Sequence, residues 1–384
     1  MHFEFATAAR IVFGWGEARQ LAAAAAQMGS RALVVTGSSP ERARPLIGHL
    51  ESAGVGCALF PTPSEPTIDL ICAGAEYAHA EGCGIVIAIG GGSAIDTGKA
   101  LAALLTNPGE PLDYLEVIGR GRHLQHPSAP LIAVPTTAGS GAEVTRNAVL
   151  ASPADRVKAS LRSPFLLPKV ALVDPELTLN LPRAITAATG LDALTQLIEP
   201  YVSSRANAMT DLYCVDGLRR AAAALPRVWD DGQDREARTA MCWTSLLGGM
   251  ALANAGLGVV HGFAAAVGGT WKAPHGAICA AVLPHAIEVN VEALRRRPPA
   301  NTALRRYDEI ARLLTRLPHA IADDAVLAIA NFCDRLEIPS LRTYGVTEAD
   351  IPDLAAKAAQ TSSMKGNPIQ LTTDELREIA LRAL

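Results

Sequence analysis

The sequence predicts a two-domain protein, in which an α/β domain with a Rossmann-like, doubly wound parallel sheet precedes an all-α domain. Short apolar segments alternate with helical segments through the first half of the chain, which is the pattern of a parallel sheet. Strand patterns stop after Asp174 and Pro175, and helical periodicity follows. The length of 384 residues suits about two or three domains. We therefore expect an α/β domain over residues 1–178 and a helical domain over residues 179–384.

Five segments of the first half are predicted to be strands. They are apolar throughout rather than alternating, which is typical of strands that helices cover on both faces. Helical segments between them allow the crossovers that parallel pairing requires. The predicted strands cover residues 31–36, 56–60, 84–89, 131–134 and 170–173, and the predicted helices cover residues 17–28, 40–53, 67–81 and 93–105.

The second half shows helical periodicity broken by Gly and Pro. Its residues 243–271 contain no charged side chain and are long enough to cross a bilayer. Several glycines, Asn254 and His261 interrupt this stretch, so we expect a buried helix pair in a soluble protein. The predicted helices cover residues 182–204, 207–230, 234–255, 275–293, 302–316, 320–336, 348–360 and 373–383.

Composition and charge exclude several classes of protein. Apolar residues make up 49% of the chain and charged residues 19%, which excludes a disordered or fibrous protein. The net charge of -4 argues against a protein that coats nucleic acid or an anionic membrane. The seven cysteines form no CxxC pair, and no apolar leader follows Met1, so we expect reduced thiols and a cytoplasmic location.

A glycine-rich turn after the third predicted strand is a candidate ligand site. Gly90, Gly91 and Gly92 precede Ser93, which is predicted to open a helix, with Asp96 following. Glycines let the backbone approach a ligand closely, and a helix start offers free N–H groups, so the turn suits a pyrophosphate. The alternative is a tight structural turn in which the serine caps the helix. The spacings of a Walker loop and of GxGxxG are absent.

A second polar turn follows the next strand. Thr136, Thr137 and Ser140 carry hydroxyls where that strand ends, and open α/β sheets bind ligands at strand ends. An ordinary polar loop is the alternative, but two such turns favour a dinucleotide over a mononucleotide. After the first predicted strand, Gly37 and Ser38 stand where a carboxylate would favour NAD, so the sequence leans slightly toward NADP. A capped helix start with two solvated arginines is the alternative.

Four residues of the helical half have spacing suited to a metal ion. Asp192 and Gln196 are four residues apart and share a helical face. We expect His261 at the end of an apolar helix and His275, after Pro274, at the start of the next. A carboxylate, an amide oxygen and two imidazoles could bind one divalent cation. Each histidine could instead be a satisfied core or cap residue.

These motifs together resemble the iron-containing (group III) alcohol dehydrogenases along essentially the whole chain. The resemblance implies the fold that this family shares with dehydroquinate synthases, NAD or NADP as cofactor, a divalent metal (Fe²⁺ or Zn²⁺), and a homodimer. The matching pieces are residues 90–93 with Asp96 and Lys99, residues 135–145, 173–178 and 189–195, and the block from His261 to His275 that ends at residues 283–285.

The resemblance also implies roles for individual residues. The metal ligands are Asp192, Gln196, His261 and His275, and the two histidines are the candidate catalytic residues. The candidate cofactor-binding residues are Gly37, Ser38, Gly91, Gly92, Ser93, Asp96, Thr136, Thr137, Ser140 and Lys158.

Two positions depart from the family pattern. Gln196 stands where the family usually has His, and a neutral amide oxygen is a harder and weaker donor than imidazole. Ala265 stands where many members carry a further His near the nicotinamide. Any proton relay at that position must therefore run through water or a cofactor hydroxyl.

The function implied is a metal-dependent, NAD(P)-linked oxidoreductase that interconverts a small alcohol and its aldehyde or ketone by hydride transfer. A maleylacetate reductase-like enzyme with little or no metal is an alternative, because Gln196 weakens the metal site and residues 268–271 resemble those enzymes. A dehydroquinate synthase-like lyase would need a basic cluster in the helical half that the sequence lacks. A decayed site that only binds nucleotide is a further alternative. We expect no nucleic-acid or membrane partner.

Overall fold

The chain folds into two compact units in a computed structural model that describes residues 2–297 and 301–384. The α/β unit contains residues 6–137 and 141–179. The helical unit contains residues 180–384 together with the N-terminal segment ending at Phe5 and the short segment 138–140. The chain therefore passes briefly into the helical unit at 138–140 before it completes the α/β unit.

The strands of the α/β unit are β1 (Arg10–Phe13), β2 (Arg31–Thr36), β3 (Gly56–Pro61), β4 (Ile85–Gly90), β5 (Leu131–Pro135), β6 (Asn147–Ser152), β7 (Val157–Arg162) and β8 (Val170–Val173). A six-stranded parallel sheet forms the centre of the unit, in the order β1-β8-β5-β4-β2-β3, and β6 and β7 form an antiparallel pair outside it. The chain extends the sheet in one direction from β4 through β2 to β3, and in the other direction through β5 and β8 to β1. The predicted doubly wound sheet is thus confirmed.

Helices cover both faces of this sheet, which explains why its central strands are apolar throughout. Leu33 and Val35 of β2 belong to one core cluster, and Ala32 and Val34 belong to the other. Each of these four side chains is fully buried. The helices of this unit are α1 (Leu21–Ala26), α2 (Arg44–Ser52), α3 (Ile68–Ala80), α4 (Gly92–Leu104) and α5 (Pro111–Tyr114).

Three strands were not predicted, for reasons that their burial makes clear. The edge strand β1 has only four residues, and none of them is fully buried. The paired strands β6 and β7 carry buried residues only at alternate positions or nearly so. Neither kind of strand forms a continuous apolar segment, because an edge strand or a strand covered on one face does not need apolar residues at every position.

The helical unit begins where the strand patterns stop, as predicted. Pro182 precedes its first helix and occupies the N-cap position. Most of its helices start and end within two residues of the predicted positions. They are α6 (Arg183–Val202), α7 (Ala208–Asp230), α8 (Arg235–Ala255), α9 (Val259–Thr270), α10 (His275–Arg296), α11 (Asn301–Thr315), α12 (Ala322–Arg335), α13 (Ile351–Gln360) and α14 (Thr373–Arg382).

The uncharged stretch over residues 243–271 forms a pair of helices, α8 and α9, that meet at a bend of 98°. Gly256 ends α8 with a φ of 75°, a left-handed conformation that glycine adopts without strain. The expectation that His261 ends an apolar helix is therefore wrong: this residue is the third of α9. By length and composition, α10 and the bent pair could cross a bilayer, but 78% of the most apolar window of α10 is buried, as in a core helix.

Candidate metal and cofactor sites

Four side chains of the helical unit converge on one point: Asp192, His261, His275 and Cys279. Each offers one ligand atom, and these four atoms all lie within 4.8 Å of one another. Oδ1 of Asp192 lies 3.4 Å from Nε2 of His261 and 3.8 Å from Nε2 of His275. Sγ of Cys279 lies 3.7 Å from Nε2 of His275. Three of the four predicted metal ligands are therefore accompanied by a thiol that was not predicted.

Three helices position this cluster. Asp192 lies near the middle of α6, and His261 lies in the first turn of α9. His275 is the first residue of α10, with Pro274 as its N-cap, and Cys279 follows one turn later on the same helical face. The donors thus come from rigid elements rather than from loops.

Gly276 allows the start of α10 to pack directly against the backbone of α6. A Cβ atom at this position would lie 2.5 Å from the carbonyl oxygen of Ala188 and 3.3 Å from the backbone nitrogen of Thr189. Only glycine fits at such a distance. This close packing sets the distance between His275, the preceding residue, and Asp192 on α6.

A second carboxylate, that of Glu199, fixes the orientation of His261. Oε2 of Glu199 accepts a hydrogen bond from Nδ1 of His261 at 2.6 Å, and Oε1 accepts one from the backbone N–H of Val260 at 2.7 Å. Because Nδ1 donates to Glu199, Nε2 is left without a proton in the neutral ring and faces Asp192 as an acceptor. A carboxylate behind a ligating imidazole is a common feature of metal sites in proteins.

Buried polar atoms without partners indicate what the cluster can bind. Oδ1 of Asp192, Oε1 of Gln196 and Nε2 of His261 are buried and have no hydrogen-bond partner among the described residues. Such atoms are rare in folded proteins, because an unsatisfied buried polar group is costly. Two ligand atoms about 2.0–2.3 Å from a common ion in tetrahedral geometry lie about 3.3–3.6 Å apart. The distances of 3.4 Å and 3.8 Å from Asp192 to the two histidines are close to these values. The residues present therefore fit a divalent cation.

Gln196 lies one turn after Asp192 on α6, as the sequence predicts, and its side chain contacts the Asp192 carboxyl. Its amide is buried in the helical unit. Ala265 lies one turn after His261 on α9 and offers no ionisable group. Both departures from the family pattern are thus located beside the cluster.

The pKa values of the cluster reflect its opposite charges. Burial alone raises the pKa of Asp192, but the charge of His275 and contacts with His261 and Gln196 outweigh burial and lower it. Burial alone lowers the pKa of His261, but interactions with Cys279, Glu199 and Asp192 raise it well above its ordinary value. The acidic groups around the two imidazoles therefore favour positive charge at this point, and a bound cation would supply it.

The predicted cofactor turns of the α/β unit lie side by side at the carboxyl ends of neighbouring strands. The backbone N–H of Thr136 donates to the carbonyl of Gly90 at 2.9 Å. A Cβ atom at Gly90 would lie 3.2 Å from the backbone nitrogen of Gly37, and one at Gly91 would lie 3.3 Å from Cγ2 of Thr137. The structure thus brings together Gly37, the glycine turn and the two threonines.

Helix α4 begins directly at this turn, with Gly91 as N-cap and Gly92 as its first residue. No side chain caps the helix, and Ser93 lies inside the first turn, so the alternative in which Ser93 is the cap is wrong. The N-cap residue therefore supplies no side-chain acceptor to the first N–H groups of α4, which suits a phosphate-binding helix start.

The remaining predicted cofactor residues have other surroundings. Asp96 accepts a hydrogen bond from the backbone N–H of Val149 at 3.0 Å, which links α4 to β6. Lys158 lies on β7 with its ammonium 3.3 Å from Glu65, so a ligand would have to share or replace that ion pair. Ser38 is exposed just beyond β2. Ser140 belongs to the helical unit rather than to the α/β unit.

Lys99, part of the glycine-turn motif, joins two of the sequence motifs. Its buried ammonium donates to Oγ1 of Thr145 at 2.7 Å and to the carbonyl of Asn147 at 2.9 Å. Burial lowers its pKa to about 8, although Asp96 and Glu143 act in the opposite direction. This lysine therefore fixes the segment after the second polar turn against α4.

Two residues of the site were not predicted from the sequence. They are Cys279, which belongs to the metal cluster, and Glu199, which orients His261. The signal for Cys279 was its spacing of four residues from His275 on one helix. The signal for Glu199 was its spacing of seven residues from Asp192, two turns along the same face of α6. Either spacing is common in sequences, so only the fold identifies these residues as neighbours of the donors.

Comparison with known proteins identifies the family of the whole chain. The sequence profile described as iron-containing alcohol dehydrogenase matches residues 8–175. The C-terminal profile of the Fe-containing alcohol dehydrogenase family matches residues 186–384. The two matches together account for nearly all of both units.

Individual relatives agree with these profiles. Alcohol dehydrogenase 4 of Saccharomyces cerevisiae (strain YJM789) is 36% identical over 336 residues, which cover 87% of this chain and 85% of the relative. NAD-dependent methanol dehydrogenase of Bacillus methanolicus is 34% identical over 384 residues, covering 97% of each protein. A crystal structure of 1,3-propanediol oxidoreductase superposes with a TM-score of 0.93 at 32% identity, covering 100% of both chains. The chain therefore belongs to the iron-containing alcohol dehydrogenase family.

Proposed function

We propose that this chain transfers a hydride between NAD(P) and a small alcohol or its aldehyde or ketone, at a site that holds one divalent cation. Family membership makes the chain an oxidoreductase that interconverts alcohols and carbonyl compounds. The observation that carries the proposed metal site is the convergence of Asp192, His261 and His275. On the first two, a buried ligand atom has no hydrogen-bond partner within residues 2–297 and 301–384.

Asp192, His261 and His275 would hold the cation, and Gln196 is the further ligand that the resemblance implies. When bound, the cation would stabilise negative charge on the substrate oxygen, and the dinucleotide would supply or accept the hydride. The task of the chain is to hold the donors in place and to keep water from the reacting atoms. Glu199 supports that task because it fixes the ring of His261.

The donors differ in exposure, and this difference indicates where a substrate would enter. The side chain of His275 is 35% exposed, whereas those of His261 and Asp192 are 6% and 4% exposed. A site that acts on a substrate needs one open side. We infer that the substrate oxygen approaches from the side of His275, while Asp192 and His261 are closed to water.

The proposed dinucleotide site is the turn at Gly91, Gly92 and Ser93, with Thr136 and Thr137 beside it. The uncapped start of α4 suits the pyrophosphate. Gly37 lies next to this turn and carries no carboxylate that would repel a 2′-phosphate. We therefore propose that the enzyme accepts NAD or NADP, with a slight preference for NADP.

Three further properties complete the proposal. The metal is Fe²⁺ or Zn²⁺, since imidazole and carboxylate ligands suit both ions. The enzyme works in the cytoplasm, as its seven cysteines without a CxxC pair indicate, and it is a homodimer, as the family resemblance implies. It has no nucleic-acid or membrane partner, in keeping with its net charge of -4 and with the burial of α10.

The proposal is tested by assaying the full-length chain with a panel of small aldehydes and with both NADH and NADPH. We expect one reduced cofactor to be oxidised for each alcohol formed. Activity should be lost after exhaustive chelation and restored by Fe²⁺ or Zn²⁺. His261→Ala should be inactive but should still bind the dinucleotide, whereas His319→Ala, at an exposed position, should behave as the unaltered chain.

Full activity of His261→Ala, or full activity after exhaustive chelation, would refute the metal-dependent reaction. The second result would instead favour a metal-independent enzyme like a maleylacetate reductase. Product formation without net oxidation of the cofactor would refute the dehydrogenase reaction altogether and favour a lyase.

A further inference from the structure

We propose that the thiolate of Cys279 is a ligand of the metal ion, in addition to Asp192, His261 and His275. This inference rests on the proposed metal site and specifies its donor set. The family resemblance implies a carboxylate, an amide and two imidazoles, and assigns no role to position 279.

The first argument is the place of Cys279 on α10. It lies four residues after His275, so both side chains leave the same face of the helix toward Asp192. The distance of 3.7 Å from its sulfur to Nε2 of His275 is close to the value of about 3.6 Å that a sulfur at 2.3 Å and a nitrogen at 2.0–2.1 Å from one tetrahedral ion would show.

The second argument is that the sulfur is the fourth ligand atom of one cluster, to which the substrate oxygen would add a fifth, as catalytic zinc sites allow. The ligand atoms of Asp192, His261, His275 and Cys279 all lie within 4.8 Å of one another. Two of them, Oδ1 of Asp192 and Nε2 of His261, are buried atoms without a hydrogen-bond partner in the part of the chain that the structure describes. The thiol is fully buried and forms no disulfide, so it is available to a metal ion inside the protein.

The third argument is the chemistry of position 196. An amide oxygen is a neutral and weak donor, so Gln196 is a poor substitute for an imidazole. A thiolate is charged and binds Zn²⁺ and Co²⁺ strongly. A set of one carboxylate, two imidazoles and one thiolate shifts the preference of the site toward Zn²⁺ and away from ions that favour oxygen and nitrogen donors.

The test is a Co²⁺ titration of the full-length chain after removal of metal by chelation. A thiolate bound to Co²⁺ gives a charge-transfer absorption in the near ultraviolet, which is separate from the visible d–d bands that report tetrahedral binding by any donor. We expect both signals to rise together and to saturate at one equivalent. This readout does not depend on enzyme activity.

Cys279→Ser and Cys279→Ala should lose the charge-transfer absorption and should bind Zn²⁺ at least about tenfold more weakly. The matched control is Cys214→Ala, because Cys214 is also fully buried in the helical unit but is not part of the cluster. This control should keep the charge-transfer absorption. Circular dichroism checks that each variant is folded, and the serine variant replaces the alanine variant if the latter is not.

Zinc X-ray absorption gives an independent readout, with a sulfur neighbour at about 2.3 Å in the unaltered chain and none in Cys279→Ser. Stoichiometric Co²⁺ binding without charge-transfer absorption, or an absorption that persists in Cys279→Ser, would overturn the thiolate ligand while leaving the metal site in place. Failure of the unaltered chain to bind Co²⁺ or Zn²⁺ would overturn the proposed metal site and this inference with it.

Discussion

Oε2 of Glu199 accepts a hydrogen bond from Nδ1 of His261 at 2.6 Å, and this contact decides which nitrogen of His261 is free to bind a metal ion. The other oxygen of Glu199 accepts the backbone N–H of Val260. One carboxylate on α6 therefore fixes both the ring of His261 and the first turn of the helix that carries it.

Glu199→Gln should weaken metal binding without unfolding the protein. An amide has only one oxygen, so it can accept from the ring or from the backbone N–H but cannot reproduce both contacts. We expect the Kd for Zn²⁺ to rise by about 10–100-fold. Calorimetric titration of the metal-free chain measures this change. Glu292→Gln, which alters a surface ion pair with Arg296, should change nothing, and equal affinities in all three proteins would contradict the role given to Glu199.

Gly276→Ala should separate α10 from α6 and so disturb the metal cluster. Its new Cβ would lie 2.5 Å from the carbonyl oxygen of Ala188, which is backbone and cannot move aside. We expect a loss of about 1–3 kcal/mol in the free energy of unfolding together with weaker metal binding. Urea unfolding and metal titration measure the two effects. Gly48→Ala, on α2 with nothing near its Cβ, should instead stabilise the protein slightly. A Gly276→Ala protein with normal metal affinity would show that this close packing does not position His275.

Gly37→Asp should shift the cofactor preference toward NAD. A Cβ at position 37 meets nothing within 4 Å, so the side chain fits at the end of β2. The carboxylate would repel the 2′-phosphate of NADP and could bind the ribose hydroxyls of NAD. We expect the ratio of the Kd values, NADPH over NADH, to rise by about tenfold or more, since about 1.4 kcal/mol corresponds to a factor of ten.

Fluorescence titration with both reduced cofactors measures this ratio. Gly37→Asn is the matched control, because it adds a side chain of the same size without charge. The site assigned to the ribose would be wrong if the aspartate and asparagine variants weakened both cofactors equally.

Glu143→Gln should change how stability depends on pH. Burial raises the pKa of Glu143 to about 7, despite the attraction of Lys99. When folding raises the pKa of a carboxyl, the protonated group stabilises the folded protein at a pH below its ordinary pKa of 4.5. That stabilisation is lost as the pH rises from 4.5 to about 7. The amide of the glutamine variant does not titrate, so its stability does not change with pH in this way. Its free energy of unfolding relative to the unaltered chain should therefore rise by about 1–3 kcal/mol over this pH range.

Urea unfolding at the two ends of this range measures the effect, with Glu292→Gln as the control for an exposed carboxylate. A difference that stays constant with pH would mean that Glu143 titrates in the folded protein as it does in the unfolded chain.

The sequence predicts the sheet well because burial on both faces leaves a continuous apolar pattern. Strands β2, β4 and β5 are nearly or fully buried, and each was predicted to within one residue at its ends. The edge strand β1 and the half-covered pair β6 and β7 lack that pattern. Strand β1 depends on pairing with β8, which is distant in sequence. Strands β6 and β7 pair with each other as neighbours, but each is buried only at alternate positions or nearly so and therefore gives no continuous apolar pattern.

The metal cluster was predicted only in part because its residues are far apart in sequence. Spacing on one helix indicates Asp192 with Gln196, but nothing in the sequence links Glu199 to His261 across 62 residues. A single buried cysteine is most often a small apolar residue, so the spacing of Cys279 from His275 becomes informative only when α10 is seen to lie against α6. The break between α8 and α9 depends on Gly256, whose left-handed φ places His261 at the beginning of a helix rather than at its end.

The most direct test of the account is calorimetric titration of Zn²⁺ into the metal-free, full-length chain and into Asp192→Asn, His261→Ala and His275→Ala. The account predicts one ion per unaltered chain, proton release on binding, and loss of tight binding in each of the three variants. Tight binding that survives in all three variants, or an unaltered chain that binds no ion, would contradict it.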